Sequence, residues 1–100
     1  MLAVYQATAS FPKHELYGLA SQSRRAAFSG AANIVEGASR KGRNEFRHFL
    51  DIALGSLCEL EYALEVAAAL EYLKPDVASN LLRQQQRARF FTWKLKQSMR

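Results

Sequence analysis

Cysteine, proline and glycine are all scarce in this chain, and each scarcity excludes something. A single cysteine, Cys58, cannot close an internal disulfide or build a structural zinc site, so a reducing cytoplasm is the expected setting. Two prolines and five glycines leave no collagen-like or linker-rich architecture, and too few turn signals for an all-β domain. No apolar run reaches the roughly 18 residues that span a bilayer, and no signal peptide opens the chain. No acid follows Asp76. What is present is 100 residues, 49% of them apolar and 23% charged, which suits one small all-α domain over residues 1–100.

Charge is distributed in blocks. Residues 1–23 are neutral, and residues 24–47 carry +4, from Arg24, Arg25, Arg40, Lys41, Arg43 and Arg47 against Glu36 and Glu45. Residues 48–76 carry −5 and residues 83–100 carry +6, for +5 overall. A basic–acidic–basic layout points either to a polyanion partner or to segments that pair with one another.

Helical periodicity divides the chain into four segments. Residues 1–10 form the first, ended by Phe11-Pro12, because proline disfavours helical backbone in the residue before it. The second is expected over residues 14–36, with Leu16, Leu19, Ala20, Ser23, Ala27, Ala31 and Ile34 buried and Gly37 as a C-terminal glycine. A loop follows, Asn44 is the expected N-cap, and Glu45 suits the dipole of the next turn. The third helix, residues 44–72, places Phe46, Phe49, Leu50, Ala53, Leu57, Leu60, Leu64 and Ala67 in an arc about 100° wide.

The back of that helix is apolar too, with Ile52, Leu54, Cys58, Tyr62, Val66, Ala69 and Leu70 pointing away from the stripe. A helix apolar nearly all round is buried nearly all round, and three short neighbours cannot cover it. Tyr62, Val66 and Leu70 are therefore expected at an oligomer interface. The fourth helix, residues 75–98, opens on Pro75 and carries Val77, Leu81, Ala88, Phe91, Leu95 and Met99 on one stripe. Leu82, Phe90 and Trp93 fall outside it. Four helices on short loops make an antiparallel up-down-up-down bundle.

No motif of catalysis or metal binding withstands a physical test. Gly37 to Asn44 has the glycine spacing of a phosphate loop, but Arg43-Asn44 replaces the required Lys-Ser/Thr and no strand precedes it. Pro12 prevents the helical turn that would join Ser10 to Lys13 as a serine–lysine pair. Glu45 and His48 make half of a di-iron motif, but both lie off the core stripe. Cys58 sits on an apolar face with no histidine at helical spacing, and reads as a packed thiol. The expectation is an absence of catalytic residues, metal and cofactor.

Two polar groupings carry more information. Arg24 and Arg25 lie in the middle of the second helix, and Asn33 and Glu36, three apart, continue along a neighbouring face; together they could meet a ligand. A structural network is the favoured reading, because buried polar groups need partners and these suit one another. Ser29-Gly30-Ala31-Ala32 is a small-residue run that lets another helix approach closely. The basic patches are the functional signal. Arg40, Lys41 and Arg43 lead into a helix N-terminus, with Arg47 one turn on, where free N–H groups also favour an anion. The last helix interleaves Arg87, Arg89, Lys94 and Lys96 with Phe90 and Trp93, which suits phosphates and stacked bases.

The order of these residues resembles a known family. Val4-Tyr5, the run Phe11 to Leu19, Gln22 to Ala27, Asn33 to Gly37 with Arg40, and Phe49 to Glu61 look like the four-helix bundle family of 23S rRNA intervening-sequence proteins, over residues 4–73. The resemblance implies a ring of five subunits, similar to the accessory protein of diversity-generating retroelements, whose basic surface binds nucleic acid. It places the family's polar signature on Arg24, Arg25, Asn33, Glu36, Gly55, Ser56 and Glu59. Gly55 would then permit close helix contact, and Arg25 and Glu59 would pair with each other or across subunits. The family's first helix is usually longer, which implies a late start here.

The combined expectation is a non-enzymatic homo-oligomer that binds RNA or DNA largely through phosphates, without a membrane. The competing expectation is a scaffold whose basic last helix docks an acidic protein.

Overall fold

Leucines and alanines at helical spacing build the frame. The computed structural model describes residues 1–99, so Arg100, the last cation of the basic C-terminal block, lies outside the described residues. Four α-helices and one 3-10 turn account for the regular structure: α1 (Leu2–Thr8), the 3-10 turn Lys13–Glu15, α2 (Leu19–Ala38), α3 (Arg43–Ala69) and α4 (Pro75–Gln97). No strand occurs among the described residues.

The organising element is α3. Its 27 residues, at about 1.5 Å each, nearly fill the molecule's longest dimension of 43 Å. Leu50, Ala53, Leu57, Leu60, Ala63, Leu64 and Ala67 are its buried face, and Phe46 and Phe49 are half-buried. On one side α2 packs against it through small residues. Gly30 faces Ala53 and Leu57, Ser29 bonds to Ser56, and Gly37 lies against Phe46 and Phe49. On the other side α4 reaches α3 through Arg89 to Glu61 and Lys96 to Asp51. The core thickens toward α1, where Val4 and Phe11 join Ala20, Ala27, Leu60, Leu64, Leu73 and Leu81.

Several boundaries differ from the sequence expectation, each for a local reason. Helix α2 starts at Leu19, five residues after His14; residues 13–15 form the 3-10 turn, and Leu16 is left exposed. Glu15 explains the start, because its Oε1 accepts the Leu19 backbone N–H at 3.1 Å and so satisfies one of the unpaired donors of the helix N-terminus. Gly42, in extended backbone, is the N-cap of α3 where Asn44 was expected. Helix α3 ends at Ala69, and the chain then turns through Glu71 at φ 63°.

Gly37 does not terminate α2. The helix runs to Ala38 and Gly37 is buried inside it. A Cβ there would stand 2.8 Å from Phe49 Cβ and 2.9 Å from Phe46 Cδ1, so glycine is required by the approach of α3 rather than by backbone conformation. Alanine usually stabilises a helix interior relative to glycine. Gly37→Ala is expected to do the reverse, lowering stability by about 1–2 kcal/mol through overpacking. A denaturant midpoint that rises instead would show room between α2 and α3.

Helix α4 turns a different face inward from the one its large residues mark. Ala78, Leu81, Gln85 and Thr92 are buried, whereas Phe91 and Leu95, expected in the core, are exposed. The inward face is rotated by about 60°, at 100° per residue. Thr92 tolerates burial because its hydroxyl donates to the Ala88 carbonyl at 2.7 Å. Ala31 is likewise exposed on α2.

A clasp joins the α1–α2 connection to the end of α3. The Tyr72 hydroxyl donates to Glu15 Oε2 at 2.9 Å, His14 Nε2 lies 3.3 Å from the same hydroxyl, and the Phe11 ring packs on Tyr72 at 5.5 Å. The Leu19 N–H, then the Tyr72 hydroxyl, hold the Glu15 carboxyl below its usual value of 4.5, and the carboxylate in turn raises the Tyr72 phenol. A carboxylate with a depressed folded value stabilises fully above its unfolded value and loses that contribution as pH falls through the folded one. Glu15→Gln is therefore expected to lower the melting temperature at neutral pH. The difference from wild type should shrink steadily below pH about 4.5. A difference that stayed constant down to pH about 3 would show that Glu15 acts by packing alone.

Candidate functional site

The eight cations of the two basic patches meet different fates. Arg40 is folded back on its own end of the bundle: its guanidinium bonds to Glu36, reaches Glu45 at 4.0 Å and lies 5.2 Å over the Phe49 ring. Arg89 bonds to Glu61 at 2.9 Å, and Lys96 is paired with Asp51. Lys41, Arg43, Arg47, Arg87 and Lys94 have no carboxylate partner among the described residues. Lys41, Arg43, Arg87 and Lys94 are also exposed. The acidic middle block thus takes up only part of the flanking positive charge.

The fold brings only the end of the second basic segment toward the first: Arg89 pairs with Glu61, 18 residues into α3 and past its midpoint, whereas Lys96 sits nearer its start. Lys96 meets Asp51, eight residues into α3 from Arg43. The C-terminal end of α4 is therefore level with a point about 12 Å along α3 from the basic turn. Arg87, on α4, therefore lies level with the second half of α3, while Lys41 and Arg43 lie at its start. Between them are exposed aromatic rings: Phe90 at 53%, Phe91 at 60% and Trp93 at 48% of full exposure. Lys94 Nζ lies 5.6 Å from the Phe90 ring.

The polar residues of α2 form separate small clusters instead of one network. Arg24 Nε donates to Thr8 Oγ1 at 2.8 Å and its guanidinium lies 5.3 Å over the Tyr5 ring, which fastens α1 to α2. Asn33 donates to the Ser29 carbonyl at 2.8 Å and to its hydroxyl at 3.2 Å, and Ser29 shares a 2.8 Å bond with Ser56 across the α2–α3 interface. Glu36 turns to Arg40, not to Asn33. Arg25 and Glu59 are both exposed and are not paired among the described residues. Thr8, Tyr5 and the Ser29 hydroxyl were missed by sequence reasoning, since only the packed helices bring them to their partners.

Two further expectations change. Cys58 is exposed, not packed, and lines an open groove of about 560 Å³ with Leu54, Gln86, Arg89, Phe90 and Trp93. Gly55 has nothing of its own chain within 4 Å of an added Cβ, so it mediates no helix contact within the subunit. Tyr62 and Leu70 are 70% and 51% exposed, and Val66 is half-buried. No group of three His, Cys, Asp or Glu side chains able to hold a metal occurs among the described residues, and no described helix is long and apolar enough to cross a membrane.

Comparison with known proteins finds that the model of the family described as 23S rRNA-intervening sequence protein matches residues 1–90. No curated protein matches the chain. The matched span covers α1 to α3 and most of α4, stopping before Trp93.

Proposed function

Because the chain belongs to the 23S rRNA-intervening sequence protein family, we propose that it is a non-enzymatic, cytoplasmic nucleic-acid-binding protein that works as a homo-oligomer. Its subunit is an up-down-up-down bundle, a reading supported by the cross-helix pairs. Late residues of α2 face early residues of α3, and late residues of α4 face the first half of α3. The ligand is RNA or DNA, gripped chiefly at its phosphates.

One observation carries this reading: Lys41, Arg43, Arg87 and Lys94 are exposed and have no carboxylate partner among the described residues. Cations already neutralised would add little, because binding to a polyanion gains from charge that displaces condensed counterions. Arg40, Arg89 and Lys96 are thus removed from the set proposed to hold phosphates, and Lys41, Arg43, Arg87 and Lys94 are kept. Arg47, half-buried, is a lesser contributor.

Assembly supplies the second element. Gly55, Tyr62 and Val66 share a face of α3, with Leu70 at its edge, and Tyr62 and Leu70 both remain more than half exposed. A second copy seated there, in a ring of five, would hide this surface and repeat each basic patch around the axis. Modest contacts then add as avidity. The test is a filter-binding titration of pooled RNA and DNA at several salt concentrations. Affinity should fall steeply with salt and show little sequence preference. Binding that resists salt, or survives only with one acidic protein after nuclease treatment, would favour the scaffold reading.

A further inference from the structure

We infer that the groove between α3 and α4 is a stacking platform for unpaired bases, so that the preferred ligand is a single strand of RNA or DNA rather than a duplex. This rests on the polyanion-binding reading above and adds strandedness to it. Leu54 and Cys58 of α3 form one wall of the groove, and Gln86, Arg89, Phe90 and Trp93 of α4 form the other. The α4 wall is aromatic. The Phe90 and Trp93 rings lie 6.4 Å apart at an interplanar angle of 29°, and both remain about half exposed.

Near-parallel rings half exposed at a surface offer aromatic area on which a base can stack, Trp93 more than Phe90 because Lys94 Nζ lies 5.6 Å over the Phe90 ring, and every base has a face to offer in return. Inside a duplex those faces are covered by neighbouring base pairs, and a protein meets only phosphates, sugars and groove edges. An exposed aromatic wall therefore gains from an unpaired strand something that a duplex cannot give.

Charge beside the rings fits the same ligand. Arg87 lies three residues before Phe90 and Lys94 four after it, so both neighbour that ring on the helix surface. Neither has a carboxylate partner among the described residues. Their separation along the helix axis is about 10 Å, which places a cation on either side of the stacked rings. The α3 carboxylates that reach α4, Glu61 and Asp51, are taken up by Arg89 and Lys96. The groove adjoins the proposed assembly face without coinciding with it. Tyr62 and Val66 are turned by about 80° on average around α3 from Leu54 and Cys58 and lie further along it, with Cys58 and Tyr62 one turn apart. Trp93 and Lys94 fall beyond the segment that the family model matches, so their part in the platform is read from this chain alone.

The chain carries its own reporters, since Trp93 is its one tryptophan and Cys58 its one cysteine. The experiment uses the full chain with an oligothymidylate of about 15 nucleotides and a duplex of equal length, at low salt. Anisotropy of the labelled nucleic acid measures binding, while Trp93 emission and maleimide labelling of Cys58 report on the groove. The single strand is expected to quench Trp93, slow the labelling of Cys58 and bind about tenfold more tightly than the duplex. Trp93→Ala should weaken single-strand binding about tenfold and leave duplex binding unchanged, with helical content intact. Equal binding of both ligands with Trp93 emission unaltered would overturn the platform and leave the polyanion reading standing. Binding of neither would overturn that reading as well. Shielding of Trp93 and Cys58 that grows with protein concentration alone would give the groove to a second copy, and would also overturn the platform.

Discussion

Exchanging Lys41, Arg43, Arg87 and Lys94 together for glutamine is expected to weaken RNA or DNA binding on the order of a thousandfold at about 0.1 M salt. Each phosphate contact contributes about 0.7–0.9 to the slope of log affinity against log salt, so the slope should flatten by about 3. The control is the exchange of Arg40, Arg89 and Lys96 for glutamine, which removes nearly as much formal charge. Those three already face Glu36, Glu61 and Asp51. Their loss should change the salt slope by less than about 1. If both sets flatten the slope equally, net charge alone governs binding, and the distinction between paired and unpaired cations carries no meaning.

Leu64→Ala is expected to have the largest effect on the fold. Leu64 is fully buried where α1, α2, α3 and α4 all contribute to the core, alongside Val4, Ala27 and Leu81. Truncating a buried leucine loses its transfer free energy and leaves a cavity, together about 3 kcal/mol. A chain of this size has only about 5–15 kcal/mol of stability. The melting temperature should therefore drop by about 15 °C, as read by circular dichroism. Tyr62→Ala, two residues away on the exposed face, should shift subunit stability by less than about 0.5 kcal/mol. Its effect should appear in assembly. Similar losses for Leu64→Ala and Tyr62→Ala would place Tyr62 inside the core of the subunit.

What could be read from the sequence was what periodicity alone determines. The leucine stripe of α3 repeats every three or four residues and does face the core from Leu50 to Ala67. The same logic misplaced part of α4, where the inward positions hold Ala78, Gln85 and Thr92 while Phe91 and Leu95, expected inward, look outward beside Phe90 and Trp93. Periodicity marks the most apolar face, and on α4 that face is not the one α3 receives. Charge blocks were legible, but their partners depend on helix register, which fixes Arg89 to Glu61 and Lys96 to Asp51. That pairing removed two of the cations expected to meet phosphate. Gly37 looked like a helix terminator because composition cannot show that Phe46 and Phe49 press against it. The clasp of Glu15 and Tyr72 joins residues 57 apart, beyond the reach of any local pattern.

In the proposed ring, the apolar face of α3 that a single subunit leaves partly bare would tie the basic surface to avidity, and sedimentation equilibrium of the full chain tests it most directly. One species near five times 11.3 kDa is expected, falling to the subunit mass when Tyr62→Asp and Leu70→Asp are combined. A homogeneous 11.3 kDa particle at high micromolar concentration would contradict it.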